Sequence, residues 1–113
     1  MSDCSSAKTA RIRELNDQLR RKAVGGRVVI TRGIEVLGAA GISEVLTAVV
    51  RFDDFTEDND PWGEHDCAIL TVNARRVLFK IDYYDLGLRW HSPDASDPAA
   101  TQRVMTIMLA EEY

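Results

Sequence analysis

At 113 residues the chain fits one domain, and its balance of 45% hydrophobic and 28% charged residues is that of an ordinary globular protein. That composition argues against disorder, collagen-like repeats and solenoids. A chain of this length has enough core to fold without disulfides or a structural metal. Its two cysteines, Cys4 and Cys67, read as free thiols of a reducing compartment. The longest uncharged stretches run to about eight residues, far short of a membrane span. The first 25 residues mix charge with Leu and Ile, unlike a secretory signal. The expectation is a cytoplasmic single domain over 1–113 with residues 1–5 frayed.

Net charge of −4 hides an asymmetry: residues 1–51 sum to +4 and residues 52–113 to −8. In chain order, residues 6–23 predict an amphipathic helix with Ile12, Leu15, Leu19 and Ala23 on its apolar stripe. Lys8, Arg11, Arg13, Arg20, Arg21 and Lys22 fall on its other faces, and Gly25-Gly26 supplies a left-handed stop. Arg27–Thr31 predicts a strand. Ile42, Val45, Leu46, Val49 and Val50 form a second helical stripe. From 53 to 66 periodicity vanishes, and half of the fourteen residues are carboxylates, so this is a loop.

Residues 65–72 and 77–84 predict two strands joined by Asn73-Ala74-Arg75-Arg76, pairing 72 with 77, 70 with 79 and 68 with 81. Ala68, Leu70, Val72, Val77, Phe79 and Ile81 then share the core face. A third strand is expected at 88–91, paired 83 with 88, adding Leu88 and Trp90 to that face. Asp97-Pro98 has the composition of a helix start, and Thr101, Val104, Met105, Met108 and Leu109 give a third helical stripe, with Glu111 and Glu112 in its last turn. The expected fold is α+β: an antiparallel sheet, made of a three-stranded meander plus one earlier strand, with about three helices on one face, in the order α-β-α-β-β-β-α.

The opposite sheet face would carry His65, Cys67, Lys80, Asp82, Tyr84, Arg89 and His91, with Asp82 opposite Arg89, Lys80 opposite His91 and His65 opposite Tyr84. Alternation alone places polar residues there, so solvent exposure is the favoured reading of that face. His65, Asp82, Lys80 and Tyr84 are the residues with acid–base capacity for catalysis. Glu64, His65, Asp66 and Asp82 are the candidate ligands for Mg²⁺, Mn²⁺ or Ca²⁺, a minority reading because crowded carboxylates repel. An EF-hand count from Asp58 fails, since Trp62 stands fifth and Ile69 twelfth. No phosphate loop, Cys-x-x-Cys or His-Glu-x-x-His is present. No resident cofactor is expected.

The loop also reads as a docking element, with Phe55 and Trp62 as apolar anchors and Asp54, Asp58, Asp60 and Glu64 steering a basic protein partner. A pI near 5.1 argues against direct nucleic-acid binding, although an acidic surface could imitate DNA toward a protein that binds it.

Phe52-Asp-Asp-Phe-Thr-Glu-Asp-Asn-Asp-Pro-Trp-Gly-Glu-His-Asp66 and Phe79-Lys-Ile-Asp-Tyr-Tyr-Asp85 resemble the bacterial family called domain of unknown function 3768. Ile12–Asp17, Gly26–Gly33 and the ending Thr106–Tyr113 add to the likeness. Cys67 departs from it, standing where an aromatic residue is expected. The resemblance implies no activity. It implies a small bacterial protein of the kind carried near plasmid and other mobile-element genes, and so an accessory or counter-defence role. It also groups Asn59, Asp60, Gly63, Glu64, His65 and Asp66 with Lys80, Asp82 and Asp85. The favoured reading is a non-enzymatic protein-binding module acting through the acidic loop and polar sheet face. The alternative is a divalent-metal-dependent hydrolase or nuclease.

Overall fold

A computed structural model describes residues 3–113, with side chains from Ser6 onward. Met1, Ser2 and the Cys4 thiol fall outside it. Helix α1 (Asp3–Lys22) leads into strand β1 (Gly26–Ile30), a single helical turn α2 (Arg32–Glu35) and helix α3 (Gly38–Arg51). Strands β2 (Cys67–Val72), β3 (Arg75–Tyr84) and β4 (Gln102–Leu109) follow, and a 3₁₀ turn (Ala110–Glu112) ends the chain. The fold is α+β: three helices and a four-stranded open sheet of order β1-β4-β3-β2.

The meander is present as β2-β3-β4, but its third strand is not the expected one. Residues 88–91 form a turn closed by Asp85, whose amide donates to the Trp90 carbonyl (2.8 Å) and whose side chain accepts from the Arg89 amide (3.0 Å). Only the isolated Tyr84–His91 bridge extends the hairpin, and Leu88 and Trp90 face solvent instead of the core. The segment expected to be the third helix is strand β4. Thr101, Arg103, Met105 and Ile107 are buried, alternating with half-buried Gln102, Val104 and Thr106, which is a period of two. Asp97-Pro98 makes one turn, with the Asp97 side chain accepting from the Ala99 amide (2.9 Å), and no helix continues from it.

β1 pairs parallel with β4, so the sheet is mixed and not wholly antiparallel. The crossover between them contains α2, α3, β2 and β3, enough chain for a parallel connection. Between β2 and β3 the observed pairs are Val72–Arg75, Leu70–Val77 and Ala68–Phe79, two residues tighter than expected. Asn73 (φ 50°) and Ala74 (φ 67°) alone form the turn, both left-handed as a two-residue hairpin requires. A slip of two leaves every side chain on its expected face, because the pleat repeats every two residues. Ala68, Val77, Phe79 and Ile81 accordingly lie in the core with Leu19, Ile34, Val45, Val49, Met105 and Ile107.

Helix α1 stops earlier than the glycine pair: Ala23 is already left-handed (φ 55°) and exposed. Leu15 and Leu19 are buried as the stripe predicts. The expectation that Arg20 lies on a solvent face fails, since it is 1% exposed. Glu112, expected in a helical last turn, instead sits in the 3₁₀ turn. It accepts from Thr31 Oγ1 (2.7 Å) and from the amides of Gly33 (3.0 Å) and Leu109 (2.8 Å), pinning the chain end to α2.

Candidate functional site

The 53–66 loop is built, not slack. Asn59 Oδ1 accepts from the Thr56 amide (2.7 Å), Asn59 Nδ2 donates to the Asp54 carbonyl (2.8 Å), and the Asp60 amide donates to the Thr56 carbonyl (2.8 Å). Gly63 (φ 70°) then turns the chain, and His65 is held in a left-handed conformation (φ 56°) that non-glycine residues seldom adopt. The His65 amide donates to Asp60 Oδ1 (3.2 Å), and the imidazole stacks on Phe55 with ring centroids 3.8 Å apart.

Helix α1 fastens this loop from beneath. Arg13 donates to the Gly63 carbonyl (3.0 Å) and Asn16 Nδ2 to the Glu64 carbonyl (3.0 Å). Asp17 Oδ1 lies 2.9 Å from His65 Nδ1 and 3.1 Å from an Arg20 nitrogen. Asn16, wholly buried, also donates to the Tyr83 hydroxyl (2.8 Å) and accepts from Arg103 Nε (2.9 Å). The Tyr83 hydroxyl in turn donates to Glu64 Oε1 (2.8 Å), while Arg103 lies over the Tyr83 ring and reaches the Ala95 carbonyl. Arg20 spends one terminal nitrogen on the carbonyls of Val49 (3.1 Å), Val50 (3.3 Å) and Phe52 (2.6 Å), closing the exposed end of α3.

Burial explains the electrostatics. It lowers both guanidinium pKa values, Arg20 and Arg103, without discharging groups this basic. Burial raises the Tyr83 hydroxyl and the Asp66 carboxyl, the latter also pushed up by neighbouring Glu64, Asp60 and Asp82. On the far sheet face, Cys67 is raised by burial and then by Asp66, which opposes thiolate formation.

The sequence candidates therefore divide between two places. Cys67, Lys80, Asp82 and Tyr84 do share the outer sheet face: Lys80 lies opposite Cys67 and Thr106, Asp82 opposite Val104, and Tyr84 opposite Gln102. The expected cross-strand pairs of Asp82 with Arg89 and Lys80 with His91 do not form; Lys80 instead hydrogen-bonds Asp82 two residues along its own strand, which raises its pKa. His65 is not opposite Tyr84. It belongs to the α1 side, where its ring nitrogens face Asp17 and Asp60. Among the described residues no group of three or more His, Cys, Asp or Glu is arranged to hold a metal ion. Of the loop candidates, Asp54, Asp58 and Trp62 are exposed, Phe55 and Glu64 are half-buried, and Asp60 is buried. Trp62 is 78% exposed.

Asn16, Asp17, Arg20, Tyr83 and Arg103 were not candidates from the sequence, although they fix the loop. One signal for two of them was available: Asn16 and Arg20 are one turn apart, beside Leu15 and Leu19 on the stripe that faces the core.

Fold and site together define a small α+β domain in which a carboxylate-rich loop, tipped by an exposed tryptophan, is locked to its first helix by buried polar side chains. The chain belongs to the family described as "protein of unknown function (DUF3768)", whose model matches residues 30–112. No curated protein and no solved structure matches it.

Proposed function

We propose that this chain is a non-enzymatic docking module that presents Trp62, on the same loop as the exposed Asp54 and Asp58, to a basic protein partner. The observation that supports it is Trp62 itself, 78% exposed on a loop whose backbone is held by Arg13, Asn16 and Asp60. A large aromatic side chain on a pre-ordered support costs little entropy on binding, which is the character of an interface anchor. Exposed carboxylates on the same loop would accelerate encounter with a cationic surface and make association salt-sensitive. An accessory role in bacterial mobile elements, counter-defence included, fits the family resemblance and an acidic docking loop.

The test is capture from a cell extract by wild type and by Trp62→Ala and Asp54→Asn/Asp58→Asn variants. A basic protein retained by wild type at low salt and lost from both variants supports the reading; equal retention by all three overturns it. The metal-dependent alternative is tested by thermal melts in EDTA and in Mg²⁺, Mn²⁺, Ca²⁺ or Zn²⁺. The docking reading expects no shift. An ion at about 100 times its dissociation constant would add about 2.7 kcal/mol, and loss of that shift in His65→Ala would restore the enzymatic reading.

A further inference from the structure

A groove of about 430 Å³ opens between the end of α1 and α3, away from the acidic loop. Its floor is the core face of the parallel pair, Val28 of β1 with Met105 and Ile107 of β4. Leu46 and Val50, one turn apart on α3, form an aliphatic wall and remain 36% and 40% exposed. The other wall ends in the exposed cations Arg21 and Lys22, with the buried guanidinium of Arg20 behind them. Among the described residues no carboxylate lines the groove, although acidic side chains outnumber basic ones in the chain by 18 to 14. Arg20 itself is answered by Asp17 and backbone carbonyls, apart from a buried Nε with no hydrogen-bond acceptor, so the cations left to the groove are Arg21 and Lys22.

We propose that this groove binds a medium-chain alkyl carboxylate, with the chain over Leu46, Val50 and the strand floor and the head group against Arg21 and Lys22. Charge complementarity selects an anion, and the aliphatic lining selects a chain without polar groups. Volume bounds the size: at roughly 30 Å³ per heavy atom the groove holds about fourteen, room for decanoate.

The probe is sodium decanoate below its micelle concentration, titrated into the full chain and followed by backbone amide shifts, with decyltrimethylammonium and hexanoate as controls. The expected result is one saturable site, with shifts at Leu46, Val50 and Val28. Decyltrimethylammonium should produce none of these shifts, and hexanoate should bind more weakly. Arg21→Glu/Lys22→Glu, two exposed changes whose folding a melt verifies, should weaken decanoate roughly tenfold. Leu46→Glu should abolish binding. Absence of saturable shifts, shifts spread over the surface, or equal binding of the cationic amphiphile overturns the proposal. Light scattering on the same samples supplies a further outcome: a dimer that Leu46→Glu dissociates would mean that a second copy covers the groove, and the ligand assignment falls. None of these readouts involves Trp62, so the proposal stands or falls apart from the docking reading.

Discussion

At the scale of single residues, Asn16 ties three distant parts of the chain together. Its side chain serves Tyr83, Glu64 and Arg103 at once, so Asn16→Ala leaves several buried groups short of a partner. The expected cost is about 3 kcal/mol in urea unfolding, since each orphaned buried group costs about 1–3 kcal/mol. Tyr83→Phe should cost only about 1 kcal/mol, because Asn16 keeps its bond to the Glu64 carbonyl. A loss in Asn16→Ala no greater than in Tyr83→Phe would show that the cluster does not act as a unit. Acid titration separates two kinds of carboxyl. Asp94, held by Ser96, and Glu112, held by Thr31, have lowered pKa values. They therefore stabilise the fold above the ordinary carboxylate range and lose that contribution as pH falls through their folded values. Asp66 is raised, so it opposes folding once ionised and ceases to do so as pH falls below its folded value. Asp66→Asn should raise the melting temperature at pH 7 and remove any gain in stability on mild acidification. An unchanged pH profile would contradict this.

At the scale of elements, α1 and α3 are coupled through Arg20. Arg20→Met should cost about 3–5 kcal/mol, from the loss of the carbonyl cap and of the partner for Asp17, and should speed amide exchange in the last turn of α3. Ala23→Gly should add about 1 kcal/mol, because the left-handed backbone there penalises a Cβ. How far elements were legible in the sequence follows from what each one's pattern had to contend with. β2 and β3 alternate cleanly, so their faces were readable, and only the two-residue turn, with Ala74 in an untypical left-handed role, hid the register. β4 was unreadable for one reason: its inward set includes Arg103, and a charge at a core position breaks alternation, leaving Val104, Met105, Met108 and Leu109 to imitate a helix. Arg20 disguised a buried position in α1 in the same way. The loop's outline was visible in its composition, but its fastening was not, because the residues beneath it come from distant parts of the chain and signal nothing locally.

At the scale of the whole molecule, the parallel pairing of β1 with β4 joins the chain's beginning to its end. Such contacts carry a larger loop-closure cost than the β2–β3 hairpin, so they are expected to form after it. The family match begins at Ile30, yet Leu19, Asn16 and Arg20 of α1 complete the core and the cluster. Residues 26–113 alone are therefore expected to lose cooperative unfolding and dispersed amide resonances. A sharp thermal transition from that fragment would show that α1 is dispensable. The charge asymmetry is partly consumed within the fold, but mostly through carbonyls: Arg13 and Arg20 bind backbone oxygens, and among α1's cations only Lys8, Arg11 and Arg20 form ion pairs with described acidic side chains. Much of the loop's negative field is thus left outward, which is what a cationic partner would meet.

Both tryptophans stand in water, Trp62 at 78% and Trp90 at 73% exposure, while the aromatic residue wholly inside the core is Phe79. Indole emission is therefore already close to its solvated colour in the native state, and denaturation will change it little. The same placement makes a Trp90→Phe chain a clean optical sensor. Its single remaining indole would shift toward the blue only when a surface closes over the loop tip, so occupancy could be followed without attaching a dye.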